Sequence, residues 1–430
     1  MSWPKSRLGT VCKIEKGITG INKAIPGVYP MVVTSEARKS HHEYQFDDDA
    51  VIIPLVSSTG HGHKSLKRIH FQQGKFALGS ILCAVIPKDK TLLNAEYLYR
   101  YLDLNKDNEL VSRMKGMANV TLPIKEIAQI EIPLPPINEQ IEFTKKYHHL
   151  ENNSESLSVQ FSHQLDLLKK LRQQILQDAV QGKLVPQDPN DEPASVLLQK
   201  IKAEKEKLVQ EKKIKKEKPL PPIKPEEIPF EIPENWVWCR LGELVTMSRG
   251  RFSIRPRNDS SYFGGIYPFI QIGSLDERGS VITDAPQSLN EKGFKVSKRF
   301  PVRRIGIATV GGTIGNLVDL GIAMCFTDSI VGILPSANHH QDFVLNYLRY
   351  IQPSIKKAAY QMSGQPNIKI PTLTELIVPL PPLPEQKRVV AKVDQLMNIY
   401  NELEQTIRQN QNYTRQLLQV ALKEALEPGS

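Results

Sequence analysis

"IEIPLPPINEQIEF" occupies Ile130–Phe143, and "LIVPLPPLPEQKRV" occupies Leu376–Val389, 246 positions further on (376 − 130). Both carry Pro-Leu-Pro-Pro, then Glu-Gln after two residues, and both stand just before a long helical pattern. Successive prolines lack amide donors and hold the residue before them extended, so each segment reads as a rigid exit from a globular part into a helix. The repetition spreads outward from these segments. Trp3–Gly17 aligns with Trp236–Gly250 through Trp, Arg-Leu-Gly and a closing Gly, and Gly27-Val28-Tyr29-Pro30 aligns with Gly265-Ile266-Tyr267-Pro268. Arg100-Tyr101 then matches Arg349-Tyr350, and Gly116, Asn119 and Pro123 match Gly364, Asn367 and Pro371. The landmarks keep their order while the offset drifts, the pattern of one scaffold carrying divergent loops.

Between the landmarks, short β-rich runs such as AVIIPLV, SILCAVIP, YPFIQIG and SIVGILP alternate with Gly, Asn and Asp turns, which predicts two compact mixed α/β domains. After the first exit, apolar residues fall at Phe143, Tyr147, Leu150, Leu157, Phe161, Leu168, Leu171 and Ile175. After the second they fall at Val389, Val393, Leu396, Tyr400, Leu403, Ile407, Leu417 and Ala421. This 4-3 spacing predicts coiled-coil pairing of the two helices, with Gln164 and Asn410 as equivalent polar seam positions. The run ENNSESLSVQ at 151–160 is poor in helix formers and predicts a kink. Pro428 and Gly429 are expected to stop the second helix. A helix from Glu139 to Gly182 would be roughly 65 Å long at about 1.5 Å per residue. Antiparallel pairing of two such spacers would relate the domains by an approximate two-fold axis. Duplex DNA has local two-fold symmetry too, and its grooves recur on one face about every 34–36 Å.

At 430 residues the chain exceeds one ordinary core, and no apolar run of about 18 residues is present to span a bilayer. The N-terminus lacks the basic and apolar pattern of a secretory signal, so a cytoplasmic location is expected. Cys12, Cys83, Cys239 and Cys325 are scattered without metal-ligand spacing and read as reduced, packed thiols. The net charge of +10 permits a nucleic-acid partner, but Lys200–Lys218 alone supplies 9 − 4 = +5 in one solvated stretch, either an additional helix or a connector. His61-Gly62-His63, His148-His149 and His339-His340 lack companions at ligand spacing, so no metal site is expected. VGGTIGN lacks the dinucleotide fingerprint, GHKS lacks the upstream glycine of a phosphate loop, and no Pro-Pro follows Asn or Asp as an adenine methyltransferase pocket requires. No catalytic residue is expected.

The duplicated exits, the duplicated Trp and Arg-Leu-Gly entries, LRQQILQDAVQGKLVPQDPNDEPASVLLQKI at Leu171–Ile201 and IPENWVWCRLGELV at Ile232–Val245 closely resemble the specificity subunit of type I restriction-modification enzymes, over essentially the whole chain. The resemblance implies an α+β chain with two target-recognition domains in a pseudo-two-fold tandem repeat, joined by long helices paired as an antiparallel coiled coil. The corresponding divisions are 1–137, the first recognition domain; 138–234, spacer helix and charged linker; 235–382, the second recognition domain; and 383–430, the C-terminal spacer helix. It further implies a subunit without catalysis of its own that reads a bipartite site in double-stranded DNA. Its partners would be two modification subunits, which use S-adenosylmethionine to methylate adenine at N6, and restriction subunits that use ATP and magnesium. The chain itself would bind no cofactor.

Base reading needs donors and acceptors held on short loops, with Arg suited to guanine and Asn or Gln to adenine. In the first repeat the candidates are Thr34, Ser35, Arg38 and Lys39, then His61, His63, Lys64, Lys67 and Arg68, with Lys115 and Asn119 further on. In the second they are Arg249, Arg251, Arg255 and Arg257, then Lys295, Lys298, Arg299, Thr313 and Asn316, and finally Gln365, Asn367 and Lys369. A coiled-coil adaptor joining protein partners without reading DNA is the competing expectation. Divergent loops on a preserved scaffold favour DNA reading, since a symmetric adaptor gains by keeping both its surfaces alike.

Overall fold

The computed structural model describes residues 3–59, 62–336, 340–362 and 367–426. Of the residues singled out above, His61, His339, Gly364, Gln365, Pro428 and Gly429 lie outside these. Two compact units form. One comprises the residues up to Gln164 together with those from Thr406 onward, and the other comprises Leu165–Gln405.

In the first unit, Ala50–Pro54 and Leu82–Pro87 are buried at every position and form the centre of a four-stranded sheet flanked by Cys12–Lys16 and His70–Gln72. Strands apolar on both faces require cover on both. Val51, Ile53, Cys83 and Val85 pack with Tyr97, Leu98 and Leu102 of helix Ala95–Leu104. The alternate residues Ala50, Ile52, Leu82, Ala84 and Ile86 pack with Val32, Phe46, Phe76 and Leu78 of a second four-stranded sheet. The two-residue period of the strand thus sorts one sequence into two cores.

The second unit repeats this plan. Ile305, Ile307, Val331 and Ile333 face Val344, Tyr347 and Leu348 of helix Gln341–Met362, while Ala308, Val318, Leu320 and Ile330 face Phe300, Met324 and Phe326. Strand register repeats too. Lys16 lies opposite Cys83 as Arg249 lies opposite Val331, and the parallel pair Val32–Leu78 corresponds to Ile270–Phe326. The second repeat adds a parallel edge strand, Val281–Ile282, beside Asp319–Leu320.

The opening motif has a structural cause in each unit. Its leading residues form an edge strand, Glu131–Pro133 against Lys5–Arg7 and Ile377–Leu380 against Val237–Arg240. Its glutamine is fully buried in both repeats. Gln140 Nε2 donates to the carbonyls of Pro135 (2.8 Å) and Leu92 (2.9 Å), and its Oε1 accepts from Asn94 N–H (2.8 Å). Gln386 Nε2 donates to Pro381 O (2.9 Å), the repeat equivalent of Pro135, and its Oε1 accepts from His340 N–H (2.9 Å). One side chain therefore latches the proline exit, the start of the spacer helix and the loop before the domain's own helix.

The spacer helices span Ile137–Val180 and Leu383–Glu424. The first passes through residues 151–160 without interruption, against the predicted kink. Its Ser and Asn residues cost only tenths of a kcal/mol each relative to better helix formers, which the flanking packed turns outweigh. In the first unit the early turns, Phe143, Tyr147 and Leu150, share a core with Leu418 and Leu422 from the end of the second helix and with Ala425 and Leu426 of the turn after it. In the second unit the late turns, Ile175, Leu176 and Ala179, meet Val389, Val390, Val393 and Leu396 from the start of the second helix. Beginning packs on end in both places, so the helices are antiparallel. The seam is uneven: Leu168 and Tyr400 are buried, Phe161 and Ile407 are half-buried, and Leu157 and Leu403 are exposed.

The charged stretch contains a helix, Ala194–Gln210, whose Ala194, Leu197, Leu198 and Ile201 enter the core of the second repeat beside Leu241 and Leu244. Its Lys205 Nζ donates to the carbonyls of Gly242 and Val245 at the end of the short helix Leu241–Leu244. In the first repeat Lys88 caps the equivalent turn, donating to Gly9 O (3.1 Å) and Thr10 O (2.9 Å).

Candidate nucleic-acid interface

In the first repeat, three loops are drawn together at one end of the sheets. Residues 57–59 and 62–68 meet segment 115–120 through Ser57 N–H to Val120 O (3.0 Å), and Lys64 Nζ donates to Ser112 O (3.4 Å). Gly62 has φ +79°, and a Cβ there would lie 2.3 Å from Met117 O, so only glycine permits the approach. Loop 34–38 joins the group through Arg68, whose Nη1 lies 2.8 Å from Glu36 Oε2.

Within this assembly Arg38 faces inward. Its guanidinium donates to Gln72 Oε1 (3.0 Å), His70 Nδ1 (3.1 Å), Glu36 O (3.1 Å) and Phe71 O (3.3 Å), tying the loop to strand His70–Gln72. Burial pushes the Arg38 pKa down. Burial, reinforced by the charges of Arg38 and Arg68, also lowers His70 from 6.5 to about 4. Lys115 pairs with Glu126 at 2.6 Å, and Lys39 Nζ donates to Ile21 O (3.3 Å). Thr34, Ser35, His63, Lys64, Lys67 and Asn119 are exposed.

In the second repeat the organising residue is Arg249. It donates to Asp328 O (2.9 Å), Ile368 O (3.3 Å) and Thr309 Oγ1 (3.5 Å), joining four segments distant in sequence. Arg251 donates to Ser297 O (2.7 Å), and Lys298 Nζ donates to Ser248 Oγ (2.9 Å). Burial, then the charge of Arg251, lowers the Lys298 pKa. Arg255 and Arg257 share Asp328 at 3.7 and 2.6 Å. Asn367 bridges Val310, and Lys369 precedes the short helix Ile370–Thr374. Asn316 is buried, with Nδ2 donating to Leu275 O (3.1 Å), and Thr313 is half-buried beside it. Arg251, Arg255, Lys295, Lys298, Arg299, Asn367 and Lys369 are exposed.

Each repeat thus presents a basic and amide-bearing set of loops on the same framework, with different residues in the two halves. Cations held by exposed carboxylates or carbonyls can exchange those partners for phosphate, because an exposed pair contributes only about 0–1 kcal/mol. Sequence reasoning missed the carboxylates Glu36, Glu126 and Asp328 that hold these cations, and nothing in their local sequence marks them. Among the described residues no group of three or more His, Cys, Asp or Glu is placed to hold a metal ion. All four cysteines are buried, with Cys12 and Cys83 pushed up to about 12 by desolvation, so they are poor nucleophiles. No helix among the described residues is long and apolar enough to cross a membrane.

The family model for the type I restriction modification DNA specificity domain matches residues 2–167 and 233–411, once for each repeat. The chain belongs to this family. Among curated relatives, the Escherichia coli type I restriction enzyme EcoAI specificity subunit is 34% identical over 250 residues, covering 55% of this chain and 41% of the relative. The E. coli EcoDI specificity subunit is 24% identical over 424 residues, 95% of this chain and 84% of the relative. The chain therefore matches about two fifths of the EcoAI subunit's length, and the EcoDI likeness is longer but weaker. A solved structure described as concerning complex assembly and conformational transition of the type I R-M system aligns over 100% of this chain and 98% of its own, with TM-score 0.65 and 18% identity. That likeness is one of fold. The two specificity-domain repeats coincide with the two loop-bearing sheet pairs.

Proposed function

We propose that this specificity-family chain is the DNA-recognition subunit of a type I restriction-modification complex, reading a bipartite duplex target with one half-site per repeat. The observation that carries this reading is the pairing of repeated strand registers with unlike loops: Arg249, Arg255 and Arg257 in one half stand where the other half has different side chains. A scaffold that keeps its geometry and changes its polar loops can present two base-reading surfaces to one double helix.

In this reading the chain works in the cytoplasm without an active site of its own. Two modification subunits dock on it, bind S-adenosylmethionine and methylate adenine at N6. Restriction subunits supply ATP- and magnesium-dependent translocation and cleavage. The test is a long-read map of N6-methyladenine in cells carrying the chain with its modification subunits, against cells lacking only this chain. Loss of one split motif, two short half-sites around a fixed gap, is the expected result. Retention of every methylated motif, with the complex expressed, would refute the recognition role.

A further inference from the structure

The second repeat carries an insertion that holds none of the DNA-reading candidates named above. Tyr29 opposite His41 corresponds to Tyr267 opposite Leu289, so the offset between repeats rises from 267 − 29 = 238 to 289 − 41 = 248 across this segment. Ten residues (248 − 238) are therefore added. They fall around Asp276–Gly279 and the extra edge strand Val281–Ile282.

This insertion reaches both spacer helices. Arg278 Nη2 lies 2.7 Å from Glu404 Oε2 on the second helix, where Glu404 is buried in the place beside the exposed Leu403. Arg172 on the first helix donates to Glu277 O (3.3 Å), and the Glu277 carboxylate pairs with Lys356 of the domain helix. Arg349 closes the base of the loop, its Nε donating to Arg278 O (2.5 Å) and its Nη2 to Gly279 O (3.2 Å). Asp276 accepts from the backbone N–H of Arg278 and Ser280, and its own backbone pairs with Leu317 at the sheet edge. The loop is thus rigid at its base and charged at its tip.

The first repeat lacks the insertion and uses its own equivalent of Arg349 directly. Arg100 forms a two-point contact with Glu151 (3.2 and 3.4 Å) and lies 4.0 Å from the Tyr147 ring, both on the first spacer helix. Each domain is therefore held to a spacer by an arginine, but among the described residues only the second is held by a strut that touches both helices.

We propose that the insertion at 276–282 is a strut that fixes the orientation of the second recognition domain on the helix pair and so sets how strictly the gap between half-sites is enforced, with Arg278 and Glu404 as its positioning residues. This rests on the bipartite reading given above. Changing the gap by one base pair displaces a half-site by about 3.4 Å and turns it by roughly 35° about the DNA axis, since a turn is about 10–10.5 base pairs. A domain tied at its core and at the strut cannot follow that turn. One released at the strut can.

The test uses the full chain with its modification subunits and maps N6-methyladenine for wild type, Arg278→Ala, Arg278→Lys and Glu404→Gln. Expected for Arg278→Ala and Glu404→Gln are the same two half-sites, with methylation now also at gaps one base pair longer or shorter. The preference for the correct gap should fall about fivefold, the scale of one half-buried ion pair, and Arg278→Lys should largely restore it. If Arg278→Ala abolishes methylation altogether, purified complex is competed against duplexes of graded gap length. A flattened ranking supports the strut, whereas a wild-type ranking overturns it. A folded Arg278→Ala complex that methylates one gap with unchanged stringency also overturns it. If wild type itself yields no split motif, the recognition reading fails first.

Discussion

His70 shows how a single buried side chain reports on the loop set around it. Its value falls from 6.5 to about 4 because it is buried and because Arg38 and Arg68 crowd it with positive charge. A depressed histidine favours folding above the unfolded value and loses that contribution as pH falls through the folded value. Stability of the first unit should therefore decline between pH 6.5 and about 4, and a proton NMR titration of the His70 ring should find it neutral until near pH 4. A midpoint close to 6.5 would refute this placement. The cysteines give a second residue-scale expectation: none of the four should react with iodoacetamide in the native chain within a time that alkylates all four in denaturant. At this scale little was legible in the sequence. Arg38 and Arg249 sit in basic, polar stretches suited to DNA, yet apart from the Glu36 carbonyl beside Arg38 their guanidinium groups bind carbonyls and side chains 32 to 119 positions away. Such pairing depends on the folded chain and leaves no local signature.

The elements were far more legible, because their causes are local. Apolar runs, proline exits and heptad spacing each act over a few residues, so the β-rich runs, the exits and the two long helices were readable from them, whereas the strand pairs and the two edge strands join distant segments and were not. The break expected at residues 151–160 was not found because weak propensities yield to packing at both ends of a helix. The glutamine of the exit motif gains a physical role here. Gln140→Leu should destabilise the first unit by about 1–3 kcal/mol, since it strands the buried Pro135 carbonyl together with a part-buried N–H and a part-buried carbonyl, and chemical denaturation would measure it. A loss under about 0.5 kcal/mol would show that the latch contributes little. Removing residues 153–156 shortens the first spacer by about 6 Å. It should alter the gap or abolish methylation while leaving each half-site as it was, and an unchanged gap would count against the spacer as a ruler.

Across the whole molecule, the charge of +10 is less informative than its distribution, because half of it lies in the linker and part of that share is already paired. Lys200 pairs with Glu192, Lys202 with Glu243 and Lys205 with Glu217. DNA affinity should still fall steeply with salt, by close to 0.9 in log K per log salt for each phosphate neutralised. Lys298→Ala and Arg255→Ala should each reduce the slope by up to about 1 in a binding titration, and no change in slope for either would remove it from the phosphate contacts. The turn that Lys88 caps in the first half is capped in the second by Lys205, from a helix lying before that repeat begins. The two halves are thus unequally portable. A graft of the first carries its own cap wherever it goes, while a graft of the second cut at Trp236 leaves behind Lys205 and the apolar face of Ala194–Ile201, and would arrive with part of its core open to water.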